Sequence, residues 1–148
     1  MKDYDFKDSD SYVQKITSLP KCFWALGAIY DLDVSITLDD LGWHFSNHYN
    51  WNLALETLKA LKTINAPEEA EIFEETLKIV RKYWLDLGKV LNKNDREFPE
   101  WYEKSGLDNE LLPLNRRMWK LNKKRSLLKI LSVYVRNNPE AALSGYAA

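Results

Sequence analysis

The chain holds two histidines, His44 and His48, and Asp40 stands four residues before the first of them. Imidazole nitrogens and a carboxylate are ligands that zinc or iron accepts. On one continuous helix, positions i, i+4 and i+8 fall nearly on one face. Asp40, His44 and His48 are therefore the metal candidates, with general acid–base use of the histidines as a lesser option. The signal is thin. Three ligands spread over two turns need another element before they converge on one ion, and no His-Glu-x-x-His pattern accompanies them. The expectation is one histidine satisfied in the core or at an interface, the other exposed, and no cofactor.

Nucleophilic chemistry has less to work with. Cys22 is the one cysteine and lies in the apolar run Cys22-Phe23-Trp24-Ala25-Leu26, which reads as a buried, inert thiol. One cysteine forms neither an internal disulfide nor a multi-cysteine metal site. No Gly-x-Ser-x-Gly elbow occurs, and the 5 glycines are isolated, so no phosphate-binding loop is formed. A working carboxylate pair among the glutamates of residues 68–75 is indistinguishable from an ordinary helix surface. The residues argue against an enzyme more than for one.

Charge is the stronger signal. The net charge is -1, yet residues 1–75 carry 6 Lys and 14 Asp/Glu while residues 76–148 carry 15 Lys/Arg and 8 Asp/Glu. Arg116, Arg117, Lys120, Lys123, Lys124, Arg125 and Lys129 fall within 14 residues, together with Trp119. Such a patch neutralises phosphates, and an indole stacks on a base. It would equally dock an acidic protein or cover acidic residues of its own fold. The acidic half offers Asp39, Asp40, Glu68, Glu69, Glu71, Glu74 and Glu75. Carboxylates spaced along helices imitate a phosphate backbone and can block a basic DNA-binding surface. The candidate partner-binding residues are thus Asp39, Glu68, Glu71, Glu74, Glu75, Arg116, Arg117, Trp119, Lys120 and Lys124.

These residues must be positioned by helices. The 148 residues suit one domain, and 45% of them are hydrophobic, with 6 Trp, 8 Tyr and 5 Phe to fill a core. Val13, Ile16, Leu19, Phe23, Leu26 and Tyr30 recur at helical spacing and predict a first helix ending near Tyr30, kinked or divided at Pro20. Thr37 is the expected N-cap of a second helix ending near Asn50. A third helix should cover 51–64. A fourth should run from 67 to 91, with Pro67 in its first turn. A short helix is expected at 98–104 and a last one at 123–137, while residues 107–119 look irregular around Pro113. Residues 31–36 alternate like a strand but are short and flanked by helix signals. The reading is an all-α, single-domain bundle of about six helices over residues 1–148. The N-terminus lacks an apolar leader segment, and no stretch approaches membrane-spanning length, so the cytoplasm is the expected compartment.

The run Leu41-Gly42-Trp43-His44-Phe45-Ser46-Asn47-His48-Tyr49-Asn50 is followed by Ala54-Leu55-Glu56-Thr57-Leu58-Lys59-Ala60-Leu61-Lys62-Thr63-Ile64-Asn65-Ala66, then Ala70, Ile72 and Phe73. Over roughly residues 40–80 this resembles a family of small bacterial helical domains of unknown function, one member of which is a DNA-mimic protein. The resemblance implies a regulator that binds a protein through an acidic surface, and it supplies no catalytic residues. The leading expectation is a protein-binding inhibitor of DNA-mimic or toxin-immunity type. The alternatives are nucleic-acid binding through residues 116–129 and a metal enzyme using Asp40, His44 and His48. The sequence leaves the oligomeric state open.

Overall fold

The computed structural model describes residues 21–139, with side chains from residue 26 onward. Those residues form seven α-helices and one turn of 3-10 helix, with no strand among them. The first, α1 (Lys21–Leu38), extends well past Tyr30. Ala28, Ile29, Leu32 and Ile36 are buried at helical spacing, and Asp33 and Ser35 are buried as well. A helix covered on several sides shows no clean polar face, which is why 31–36 alternate in sequence without forming a strand. Helix α1 is the central element, packed by α2, α3, α6 and α7. The Pro20 kink and the Cys22 side chain lie outside the described residues.

Thr37 lies inside α1, and the cap of the next helix is Asp40. Its extended backbone places Oδ1 to accept from the Trp43 amide at 2.9 Å. Helix α2 (Leu41–Asn47) is consequently only seven residues long. Helix α3 (Trp51–Thr63) is capped by Asn50, whose Oδ1 accepts from the Leu53 amide at 2.9 Å. Just past its C-cap Ile64, Asn65 adopts the left-handed conformation common where a helix stops. Pro67 then opens α4 (Pro67–Lys93), 27 residues long.

A 3-10 turn at Asp95–Glu97 leads into α5 (Phe98–Lys104). Gly106, with a φ of 86°, turns the chain into α6 (Leu107–Lys124). Residues 107–119 are thus helical and not irregular. Pro113 is exposed, and the buried stripe Leu107, Leu111, Leu114 and Met118 outweighs the single backbone hydrogen bond that a proline removes. Arg125 breaks away in extended conformation and Ser126 caps α7 (Leu127–Asn137), so the last helix starts later than 123. The core gathers Phe45, Phe73, Phe98, Leu87 and Met118.

Candidate functional site

Helix α2 shows what the histidines do. Asp40 and His48 are its N-cap and C-cap, so the continuous i, i+4, i+8 face does not exist. His44 is 2% exposed, with Nδ1 2.8 Å from the Ser35 hydroxyl of α1. Ser35 Oγ also lies 3.0 Å from the Asp31 carbonyl. A carbonyl only accepts, so the hydroxyl proton goes there and His44 Nδ1–H donates to Ser35, which assigns the neutral Nδ1–H tautomer. Burial pushes His44 down to about 3, and the neighbouring His48 adds to the effect. His48 is half-buried, its ring centroid 4.9 Å from that of His44. Burial lowers it too, with Asp31 opposing.

Asp40 is occupied elsewhere. Besides capping α2, it accepts from the Tyr102 hydroxyl of α5 on Oδ2 at 3.1 Å. Burial raises the Asp40 carboxyl, against the Trp43 amide and the Tyr102 hydrogen bond. The first amide of α2, at Leu41, donates to Asn115 Oδ1 of α6 at 2.9 Å. A Cβ on Gly42 would run into the Tyr102 ring, so glycine lets α2 and α5 touch. Among the described residues no three His, Cys, Asp or Glu are placed to hold a metal. Ser35, Tyr102 and Asn115 complete this polar interior, and no sequence spacing announced them.

The charged candidates lie outside, divided between two edges of α6. Helices α4 and α6 pack side by side. Lys82 meets Glu110 at 2.9 Å and Glu75 meets Arg117 at 3.4 Å. Those two pairs set an antiparallel register. In that register the acidic start of α4 runs beside the basic end of α6. The two charged halves therefore partly neutralise each other within the chain. Glu69, which is buried, lies close enough to Arg125 for the guanidinium to oppose the upward push of burial on its carboxyl. Glu68, Glu71 and Glu74 are exposed and make no ion pair among the described residues. Lys124 is exposed at the C-terminal turn of α6.

The other edge of α6 faces the end of α1. Arg116, Trp119, Lys120 and Lys123 follow at i, i+3, i+4 and i+7, one side of the helix. Trp119, Lys120 and Lys123 wall a cleft of about 640 Å³ with Ile36, Thr37 and Asp39 of the α1 end. Trp119 Nε1–H donates to the Asp39 carbonyl at 3.1 Å. Asp39 thus joins the basic, aromatic group and not the glutamates of α4. Thr37 and Asn122, which also line the cleft, carried no functional signal in the sequence.

The described residues define an all-helical, charge-divided domain. The chain belongs to the DMP19-like protein family, whose model matches residues 17–138. Comparison with curated proteins and with solved structures gives no match. No described helix is long and apolar enough to cross a membrane.

Proposed function

We propose that this protein is a DNA-mimic-type regulator that covers a basic, DNA-reading surface of a protein partner. DMP19 itself is a DNA mimic protein, and the observation that carries the reading here is the row Glu68, Glu71 and Glu74. All three are exposed on the first turns of α4 without a cation partner among the described residues. At 1.5 Å rise per residue neighbouring carboxylates of the row are about 4.5 Å apart along the helix, of the same order as the roughly 3.4 Å of axis per phosphate on one DNA strand. Glu75 extends it, its charge shared with Arg117. Fixed carboxylates of this kind steer a cationic partner and favour its docking in one register.

The test is affinity capture from host lysate with the intact chain and with the Glu68→Gln/Glu71→Gln/Glu74→Gln variant, with nuclease present throughout. The expected result is a DNA-binding protein that the variant fails to retain and that duplex DNA displaces. Equal capture by a folded variant sinks the acidic-surface reading. A captured toxin, insensitive to duplex DNA, would move the protein to the immunity type, which uses the same occlusion on a different target. No cofactor enters this function, and the cytoplasm is where such a partner would be met.

A further inference from the structure

We propose that the cleft between the end of α1 and α6 binds a phosphate-bearing nucleobase, the base on the Trp119 indole and the phosphate between Lys120 and Lys123. A volume of about 640 Å³ is in the range of small-ligand sites. Trp119 is 38% exposed although its N–H is already spent on the Asp39 carbonyl. Its ring is therefore held in orientation, and a fixed, part-exposed indole in the cleft wall is a group on which a base can stack. Lys120 and Lys123 make no ion pair among the described residues, in contrast to Arg117, which pairs with Glu75. Two ammoniums one turn apart, neither held in an ion pair among the described residues, suit a phosphate.

The remaining walls fix a direction. Asn122 Oδ1 accepts the Leu127 amide at 3.2 Å, so what this side chain has to donate is its NH2. The Asp39 carboxylate repels a phosphate and accepts from sugar hydroxyls or an exocyclic amine. It thus sends the phosphate to the lysine side and the sugar or base edge to the α1 side. A simple anion has no use for the indole, and a neutral ring has none for the lysines. The chemistry required is a base and a phosphate on one ligand, supplied by a free mononucleotide or by a single-stranded oligonucleotide. This site is independent of the α4 glutamates.

The full chain, labelled with 15N, is titrated with AMP, adenosine, inorganic phosphate and a short oligothymidylate, following the Trp119 indole resonance assigned by Trp119→Phe. Saturable movement with AMP identifies the free nucleotide, and movement with the oligonucleotide alone identifies a strand. Adenosine and phosphate should each bind far more weakly than the nucleotide. Lys120→Gln/Lys123→Gln, two exposed positions, should weaken binding about tenfold or more, whereas the Glu68→Gln/Glu71→Gln/Glu74→Gln variant should bind unchanged. The proposal is overturned if neither nucleotide ligand moves the resonance, if the lysine variant binds equally well, or if folded Trp119→Ala keeps wild-type affinity by calorimetry.

Discussion

The polar groups around α2 and those along α6 are the same kinds of atoms put to opposite uses. Around α2, each polar side chain reaches one partner on another helix: His44 to Ser35, Tyr102 to Asp40, Asn115 to the Leu41 amide. Buried groups left without such partners would cost more than the bonds return, so these contacts select one placement of a short helix. Along α6 the ion pairs are half-exposed and water competes for them. Surface pairs of this type contribute about 0–1 kcal/mol each. Burial, and not residue type, separates the polar residues that specify this fold from those left at the surface.

The interior side of that contrast should fail hardest. Tyr102 is buried, stacked on Phe98 at 5.1 Å and bonded to Asp40. Tyr102→Ala should cost about 3–5 kcal/mol in chemical denaturation. A loss below about 1 kcal/mol would break the contrast. Acidification comes next. A histidine held at about 3 when folded takes up its proton on unfolding below about pH 6.5, so its contribution is present above that pH and lost as pH falls towards 3. The slope should be about 1.4 kcal/mol per pH unit. Asp33, Asp40 and Glu69, raised by burial, favour the fold as they protonate and oppose the trend at lower pH. His44→Gln should reduce the slope just below about pH 6.5, with the lowered His48 keeping part of it. The smallest effect belongs to the surface. A double-mutant cycle on Glu75→Ala and Arg117→Ala should give a coupling of about 0.5 kcal/mol that fades in salt. A salt-insensitive coupling of several times that size would erase the distinction.

The all-helical class was legible because the apolar stripes are strong: Leu53, Leu61, Phe73, Leu77 and Val80 are buried as their spacing requires. Pro67 marked a helix start correctly. Thr37 misled because two residues that can cap, Asp39 and Asp40, follow it, and the choice among the three depends on Tyr102 and Asn115 from distant segments. Residues 107–119 misled because one proline speaks loudly in sequence while the burial that overrides it does not. The basic residues and Trp119 were visible one by one. Their division between two edges of α6 was not, since it depends on the Glu75–Arg117 pair and on the Trp119 bond to Asp39, across 42 and 80 residues of chain.

Seven-residue helices in general open and close easily, and their amides exchange with solvent from small local fluctuations. Helix α2 is fastened to α1 through His44, to α5 through Asp40 and the close approach at Gly42, and to α6 through Leu41. It cannot detach without releasing bonds to three other helices. Its amides should therefore exchange with deuterium at rates near those of the central helix, so that the shortest helix keeps time with the whole domain and makes its exchange a clock for global unfolding.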